Sequence, residues 1–337
     1  METMKSLHDP VLEVEDLSVQ FVTEDETVNA VNHISFKLRK GRTLGFVGET
    51  GAGKTTTALA LLRLVPNPGK VESKRIEVCG REVSAMTARQ LEKYRGDDIA
   101  MIFQDPMTAL NPVFTVGQQI ADSILLHQDV TYGEAMKKAE EMLELVGIPA
   151  SRQAEYPHQF SGGMKQRVVI AIALACNPEV MIADEPTTAL DVTIQAQVLN
   201  LMKKLRDDRR MSMIMITHNL GIIADICDEV AVMYAGRIVE TGTLVEVFNH
   251  TKHPYTEGLF NSLPNILNRT AKLKPIPGLM PDPSNLPVGC AFAPRCRYAG
   301  PDCTCAQPKA HWFSDTHTVA CAAYERVGFT IDRPEKK

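Results

Sequence analysis

Hydrophobic and polar residues alternate along residues 11–47 of the chain. Three segments that begin between positions 11 and 43 (VLEVEDLSVQF, AVNHISFKL and TLGFVG) are typical of strands, the first two with a clear period of two. The pattern predicts an antiparallel layer that leads into a buried strand, Thr43–Val47. Two later segments, VMIAD (180–184) and MIMIT (213–217), are apolar, which is typical of parallel strands buried on both faces.

Helical periodicity dominates two other stretches. The segment 55–64 (TTTALALLRL) is rich in alanine and leucine and predicts a helix directly after the strand 43–47. Apolar residues recur on one helical face between 135 and 146, and this helix is expected to end at Gly147. A further helix is expected just before it. We therefore interpret residues 106–158 as a helical insert between two parts of an α/β core.

Proline and cysteine set the C-terminal part of the chain apart. Nine of the 20 prolines fall between positions 264 and 308, and proline at this density excludes long helices and central strands. Five of the eight cysteines lie between 290 and 321, whereas Cys79, Cys176 and Cys227 have apolar neighbours and are expected to be inert. We predict two regions, a core (11–260) and a tail (261–337).

Composition and charge restrict the class of protein. The chain has 337 residues, with 44% hydrophobic and 23% charged residues, as is ordinary for a water-soluble protein with one large and one small domain. It has no apolar run long enough to span a bilayer, and its polar start has no secretory core, so we expect a cytoplasmic location. The net charge of −5 argues against nucleic acid as a partner.

The stretch 48–55, GETGAGKT, matches the phosphate-loop pattern G-x-x-x-x-G-K-[ST] in full. Its glycines allow successive backbone N–H groups to turn toward a phosphate, as bulkier residues would not. Lys54 is expected to contact the β- and γ-phosphates, and the Thr55 hydroxyl to ligate Mg²⁺. The predicted nucleotide contacts are Gly48, Glu49, Thr50, Gly51, Ala52, Gly53, Lys54, Thr55 and Thr56.

Polar residues that follow apolar strands supply the candidate catalytic groups. Asp184 ends VMIAD and is a predicted Mg²⁺ ligand, and Glu185 is placed to orient or deprotonate an attacking water. His218, after MIMIT, is expected to contact the γ-phosphate. Gln104, in MIFQDP, is expected to ligate Mg²⁺ or the attacking water.

A second Gly-Gly pair lies in FSGGMKQR (160–167). In order, GETGAGKT, Gln104, FSGGMKQR, VMIADE, TALD and His218 resemble the ATP-binding subunit of an ABC transporter over residues 11–260. The resemblance implies a P-loop ATPase core with an antiparallel β subdomain and an α-helical subdomain. In that family FSGGM corresponds to the signature motif, usually LSGGQ, and two subunits pack head to tail. Ser161, Gly162 and Gly163 are therefore expected to contact ATP held by the other subunit.

The resemblance implies further roles by position. Thr188–Asp191 resembles the D-loop at the dimer interface, which brings Asp191 to the nucleotide. Phe21 matches the aromatic residue that stacks on adenine, although its pattern also suits a buried core phenylalanine. The helical insert is expected to grip a transmembrane subunit. Phe160 and Met164 replace the commoner leucine and glutamine, a variant similar to the peptide-importer branch, and hydrolysis is expected to be intact.

The tail cysteines resemble the C-terminal extension of oligopeptide, dipeptide and nickel importer ATPases. Cys290, Cys296, Cys303 and Cys321 are separated by five, six and seventeen residues, which does not match the paired knuckles of zinc ribbons. In the resembling family the corresponding G-C-x-F-x-P-R-C pattern is associated with a 4Fe–4S cluster. Zn²⁺ and free thiols remain alternatives, and Cys305 is surplus. A structural or regulatory metal centre is favoured over electron transfer.

The function implied by the resemblance is ATP hydrolysis that powers uptake of di- or oligopeptides. Nickel is the alternative substrate, and a soluble ABC ATPase acting on DNA or ribosomes is the alternative class. The expected partners are a second ABC ATPase, which favours a heterodimer, two transmembrane permease subunits and an external substrate-binding protein. The expected location is the cytoplasmic face of the membrane, as a peripheral subunit.

Overall fold

The computed structural model describes residues 10–188, 190–262 and 275–331. The polar start (1–9), residues 263–274 of the proline-rich tail, the last six residues and Ala189 of the predicted D-loop lie outside this description. In the part of the chain that is described, no helix combines the length and the apolar character that crossing a bilayer requires.

Thirteen strands and eleven α-helices make up the described part of the chain. The strands are β1 (Pro10–Val22), β2 (Thr27–Arg39), β3 (Thr43–Val47), β4 (Gly69–Glu72), β5 (Arg75–Val78), β6 (Arg81–Glu82), β7 (Ile99–Ile102), β8 (Val180–Asp184), β9 (Ser212–Ile216), β10 (Glu229–Tyr234), β11 (Arg237–Thr243), β12 (Ala310–Trp312) and β13 (Thr318–Ala320). The helices are α1 (Lys54–Leu61), α2 (Ala88–Asp97), α3 (Pro106–Ala109), α4 (Val116–His127), α5 (Tyr132–Leu145), α6 (Gly162–Leu174), α7 (Val192–Arg209), α8 (Leu220–Ile226), α9 (Leu244–Asn249), α10 (Pro254–Asn261) and α11 (Asp302–Cys305).

The alternating N-terminal pattern forms a five-stranded antiparallel sheet. Its order is β2-β1-β5-β6, with β4 also paired to β1. In β1 the alternate residues Leu12 and Val14 are buried and point toward the larger sheet, while Glu13 between them is partly exposed. The predicted antiparallel layer is therefore confirmed.

The larger sheet has eight strands in the order β12-β13-β11-β10-β3-β9-β8-β7. Strands β10, β3, β9, β8 and β7 are parallel neighbours, and every residue of β3, β8 and β9 is buried. Ile182 packs toward the antiparallel sheet, whereas Met181 and Ala183 pack toward the helices on the other face. Because both faces are covered, no polar residue alternates with the apolar ones, and the three predicted strands are confirmed.

The predicted helical insert contains α3, α4, α5 and two short 3₁₀ turns, Ala150–Ala154 and Pro157–Gln159. Capping boxes begin α4 and α5, where the Thr115 and Thr131 hydroxyls each accept a backbone N–H three residues later. Both helices bury the apolar faces that the periodicity predicted. Helix α5 ends at Leu145, two residues before Gly147.

The tail is ordered by long-range contacts with the core. Strands β13 and β12 extend the large sheet beyond β11, with Glu240 opposite Val319. Glu240 is fully buried and accepts hydrogen bonds from the backbone N–H groups of Lys252 and His253. It also lies 2.9 Å from His317 Nε2. Prolines are tolerated beside the edge strands of a sheet. The pairing of β13 with β11 therefore orders a tail whose proline-rich sequence has little order by itself.

Candidate functional site

The phosphate loop connects β3 to α1. At Gly48 a Cβ atom would lie 2.2 Å from the Met233 carbonyl oxygen, and Gly53, the residue before α1, has φ +97° with a Cβ position 2.4 Å from the Ala30 oxygen. Only glycine fits at these two positions. The loop backbone is thus free to curve around a phosphate at the start of a helix.

Lys54 lies over this loop. Its Nζ donates to the carbonyl oxygens of Gly48 (2.8 Å) and Glu49 (2.9 Å), and the residue is 7% exposed. Burial lowers the pKa of the Lys54 ammonium, while the nearby carboxylates of Glu185 and Asp184 act in the opposite direction. The cation is therefore held in place among carboxylates before any phosphate arrives.

Asp184 and Thr55 form an oxygen pair beside the loop. Burial raises the pKa of Asp184, and a hydrogen bond from the Thr55 side chain opposes that rise. The second carboxylate oxygen, Oδ1, is buried and has no hydrogen-bond partner among the described residues. Unpaired buried oxygens are costly unless a ligand satisfies them, and a hydroxyl beside a carboxylate is a donor set that Mg²⁺ prefers. These residues fit the predicted Mg²⁺ site.

Glu185 brings three other predicted residues together. Its Oε2 accepts from Gln104 Nε2 (3.1 Å) and from the Thr188 hydroxyl (2.9 Å), and its Oε1 lies 2.9 Å from His218 Nδ1. Burial raises the pKa of Glu185, but hydrogen bonds from His218 and Thr188, with the charge of Lys54, outweigh it and lower the pKa. The side chain is an ionised acceptor held by a backbone with φ +46°, an unusual conformation for glutamate.

The second Gly-Gly pair starts α6. Ser161 is the N-cap, and its hydroxyl accepts from Met164 N (3.4 Å). Gly163 is buried against α7, and a Cβ atom on Gly163 would lie only 2.3 Å from Ile194. Ser161 and Gly162 are exposed. The side chains nearest to the Cβ positions of the two glycines are Leu190, before α7, and Ile194 of α7. The exposed residues Ser161 and Gly162 therefore make the start of α6 accessible from outside this chain.

Two further predicted site residues have local structural contacts. Asp191 is the N-cap of α7 and accepts from Ile194 N at 2.9 Å, a role that we did not predict. Phe21 is partly buried near the end of β1, opposite Val28 and Gly69, and packs against the core of the antiparallel sheet. Its ring lies close to Gly69, where a Cβ would be 3.0 Å away.

Sequence reasoning missed a contact between the tail and the phosphate loop. The guanidinium of Arg295, 7% exposed, donates to both carboxylate oxygens of Glu49, at 2.8 and 3.1 Å. Arg295 also donates to Tyr234 Oη (3.3 Å), and Glu49 N donates to Tyr255 Oη (2.9 Å). Arg295 stands directly before Cys296, but nothing in the local sequence indicates that it reaches a loop 246 residues away.

Four of the five tail cysteines are buried or partly buried, and the fifth is exposed. Cys303 and Cys321 are buried, Cys290 and Cys296 are partly buried, and Cys305 is exposed. Burial, reinforced by the charges of the Cys290, Cys296 and Cys303 thiolates, raises the pKa of Cys321 to about 12. Each of the four predicted ligands thus lies within the electrostatic reach of the others. In the described tail, no three of these sulfurs lie within 4.8 Å of one another.

The three internal cysteines are free thiols. Burial raises the pKa of the Cys79 thiol to about 12 and also raises those of Cys176 and Cys227. Cys227 is buried and the other two are partly buried. The raised pKa values keep these thiols protonated in the metal-free protein, which agrees with the expectation that they are not nucleophiles.

Comparison with known proteins gives matches over most of the chain. Residues 31–188 match the family described as ABC transporter, and residues 239–303 match the one described as oligopeptide/dipeptide transporter, C-terminal region. The chain is 46% identical over 321 residues to the oligopeptide transport ATP-binding protein AppD of Bacillus subtilis (strain 168), covering 94% of this chain and 98% of that protein. It is 44% identical over 332 residues to a putative peptide import ATP-binding protein of Brucella abortus (strain 2308), with the same coverage.

Two solved structures share the fold. The structure of cbiO1 from Clostridium perfringens, part of the ABC transporter complex cbiONQ, is 28% identical, with a TM-score of 0.62 over 71% of this chain and 91% of that one. A dimeric ATP-binding cassette bound to ADP and Pi, in a post-hydrolysis state, is 24% identical, with a TM-score of 0.60 over 69% of this chain and 98% of that one.

Proposed function

The chain belongs to the ABC transporter family of ATP-binding proteins, and from this premise we propose that it is the ATP-hydrolysing subunit of a peptide importer. The matched C-terminal region of oligopeptide and dipeptide transporters supports this assignment, as does the 94% coverage by relatives named for peptide import. The single observation that carries the catalytic part is Glu185, an ionised carboxylate that contacts Gln104, Thr188 and His218 beside Lys54.

Hydrolysis follows from the groups around Glu185. A water aligned by Glu185 attacks the γ-phosphorus, its oxygen forms the new P–O bond, and the bond to the β,γ-bridging oxygen breaks to release ADP. The Glu185 carboxylate accepts the proton that the water loses. Lys54 and the loop N–H groups stabilise the charge that builds on the phosphate oxygens.

Thr55, Asp184 and Gln104 are the residues that would hold Mg²⁺. The ion, when bound, neutralises charge on the β- and γ-phosphate oxygens. The unpaired Oδ1 of Asp184 is the strongest support for this set. Gln104 donates its amide N–H to Glu185, so its carbonyl oxygen is the atom that remains for a cation or a water. His218 Nδ1 lies 2.9 Å from the Glu185 carboxylate. We propose that His218 contacts the γ-phosphate and responds to its loss.

The nucleotide is enclosed by two subunits. Ser161 and Gly162 are exposed at the start of α6, a 13-residue helix whose N-terminal N–H groups suit an anion from outside this chain. Leu190, between Thr188 and Asp191 in the predicted D-loop, would lie 3.7 Å from a Cβ atom on Gly162. The partner is a second ABC ATPase, and we favour a non-identical one. Phe21 would stack on the adenine of the ATP held by this chain.

An ABC importer ATPase works with transmembrane permeases. We propose two permease subunits, an external substrate-binding protein and a peripheral position on the cytoplasmic face of the membrane. We propose that the helical insert, residues 106–158, contacts the permease. Di- or oligopeptides are the proposed cargo, since the relatives are named for peptides, and nickel is the contrary outcome of a transport test.

The four tail cysteines are proposed to hold a 4Fe–4S cluster. Four thiolates around one tetrahedral zinc ion, with Zn–S bonds of about 2.3 Å, lie roughly 3.8 Å apart. In the described tail no three of the sulfurs approach within 4.8 Å, which favours a larger polynuclear centre over one zinc ion. The centre would fix the tail segment that carries Arg295. Cys305 is exposed and donates to the Pro301 carbonyl oxygen (3.2 Å), so it stays outside the set.

The test is transport by the complex reconstituted in proteoliposomes, with labelled peptides or ⁶³Ni²⁺ outside and ATP inside. Peptide uptake and its dependence on ATP are expected. Glu185→Gln should bind ATP with near-normal affinity and hydrolyse it at least about 100-fold more slowly, because the amide cannot accept the proton. Unchanged hydrolysis in Glu185→Gln would remove that residue from the base role, and uptake of nickel alone would overturn the peptide assignment.

A further inference from the structure

Three metal-ligating side chains outside the ATP site meet at the opposite edge of the large sheet. Asp97 ends α2 just before β7, His127 is the last residue of α4, and Cys176 follows α6 on the way to β8. One ligand atom from each side chain lies within 4.8 Å of the other two. Gln104 and Asp184 lie at the carboxyl ends of β7 and β8, so this group is at their amino ends. Neither ATP hydrolysis nor the tail cluster uses it.

The contact between His127 and Asp97 is close but is not a hydrogen bond. Nδ1 of His127 lies 3.3 Å from Oδ1 of Asp97, yet this nitrogen has no hydrogen-bond partner among the described residues. The His127 side chain is 5% exposed, so an unsatisfied nitrogen there is costly. Two ligands of a tetrahedral ion with bonds of about 2.0–2.2 Å lie about 3.4 Å apart and point at the ion instead of at each other. The observed separation matches that arrangement.

We propose that Asp97, His127 and Cys176 form a site for a zinc-class divalent cation, with water as the fourth ligand. A thiolate, an imidazole and a carboxylate together select zinc over magnesium or calcium, which prefer oxygen alone. The Asp97 side chain is 41% exposed, so one side of the site is open to solvent. Sites with three protein ligands keep such an open position.

The surroundings hold two of the ligands in place. Gly96 has φ +127°, and a Cβ at this position would lie 2.6 Å from Nε2 and Cε1 of the His127 ring, so the imidazole packs directly on the backbone of α2. The Cys176 thiol donates to the Ser123 carbonyl oxygen at 3.6 Å. When the cation binds, the thiol loses its proton to solvent, and an Sγ–metal bond replaces that hydrogen bond.

The site joins elements that lead to the ATP site. The C-terminal end of α6 leads to Cys176 and its N-terminal end follows Ser161, while β7 begins after Asp97 and leads to Gln104. Through His127 the cation also ties α4, from the helical segment, to both. We therefore expect the bound cation to stabilise the attachment of the helical segment to the sheet.

The experiment is a zinc titration of full-length protein against a chromophoric chelator, after treatment with EDTA. Wild type is expected to bind one zinc equivalent more than Cys176→Ser. Cys79→Ser, which removes another partly buried internal thiol, serves as the matched control and should bind as much zinc as wild type. The tail cysteines are present in all three proteins, so zinc bound there cancels in the comparison. Asp97→Asn, a change at an exposed side chain, should weaken the site by about tenfold or more.

Cobalt(II) supplies a second readout. A thiolate-to-cobalt charge-transfer band should be stronger in wild type than in Cys176→Ser by one site's absorbance. Equal zinc stoichiometry and equal absorbance in these two proteins would overturn the proposal. Should Cys176→Ser fail to fold, Asp97→Asn decides, because its unchanged zinc affinity would also overturn it. These readouts involve neither ATP nor transport, so they stand apart from the proposed function.

Discussion

The phosphate loop and the tail occupy neighbouring space but are ordered in different ways. The phosphate loop, Gly48–Gly53, is held by the strand before it, the helix after it and the Lys54 side chain, which bonds to Gly48 and Glu49. The tail depends on residues far away in the sequence, with Arg295 on Glu49 and His317 on Glu240. Short motifs are therefore sufficient to predict the first region, while the second acquires its form only on the assembled core.

The difference also concerns charge. Glu49 lies next to the glycines that receive phosphate, and by itself its carboxylate would repel the nucleotide. Arg295 neutralises it from the tail through two hydrogen bonds. The structure around the tail cysteines is thereby coupled to the loop, because Arg295 and Cys296 are adjacent in the chain. We therefore expect a change at Cys296 to affect ATP binding through Arg295 and Glu49.

The largest effect is expected inside the phosphate loop. Lys54→Ala removes the buried cation that faces the β- and γ-phosphates, and ATPase activity should fall at least about 100-fold. The measurement is phosphate release at saturating ATP. Lys204→Ala, an exposed lysine on α7, is the matched control and should leave the rate unchanged. A Lys54→Ala protein with normal turnover would contradict the assignment of the loop.

An intermediate effect is expected where the two regions meet. Arg295→Ala leaves the Glu49 carboxylate unpaired beside the phosphates, so the KM for ATP should rise roughly tenfold, about 1.4 kcal/mol, with little change in kcat. Arg297→Ala, two residues away, breaks a pair with Glu257 instead and should leave the KM unaltered. Equal KM values in the two variants would show that the tail contact does not tune the loop.

The smallest effect is expected at the docking of the tail. Burial raises the pKa of Glu246, but hydrogen bonds from Ser314, Thr243 and Thr316 outweigh burial and lower this pKa from 4.5 to about 2. A depressed pKa contributes stability above pH 4.5, and this contribution is lost as the pH falls from 4.5 toward 2. In Glu246→Gln the thermal midpoint should therefore be lower at neutral pH and less sensitive to pH between 4.5 and 2. Parallel pH profiles for wild type and variant would contradict this role.

The strands and helices were predictable where one period dominates. Thr43–Val47 and the strand ending at Asp184 were located by continuous apolar runs, and α5 by a single buried helical face. Proline density indicated that the tail needed outside support, but not which edge of which sheet would provide it. The register of β13 on β11 depends on a non-local contact, which local pattern does not contain.

The candidate site shows the same division. The local sequence names Gly48–Thr55, Asp184, Glu185, Gln104 and His218, because each follows a strand with residue types that suit phosphate chemistry. It does not show that Gln104, Thr188 and His218 all bond to one carboxylate, since these residues lie on separate loops. It also gave Cys176 only the role of an inert thiol, because its neighbours Asp97 and His127 come from distant elements.

By itself, the sequence determined the kind of chemistry, since glycine spacing and strand periods act over a few residues and survive in any arrangement of the rest. Only the tertiary structure decided which charges meet. It joined Arg295 to Glu49 and His127 to Asp97 and Cys176, because electrostatic and metal-binding geometry depends on separations of a few ångströms between residues far apart along the chain.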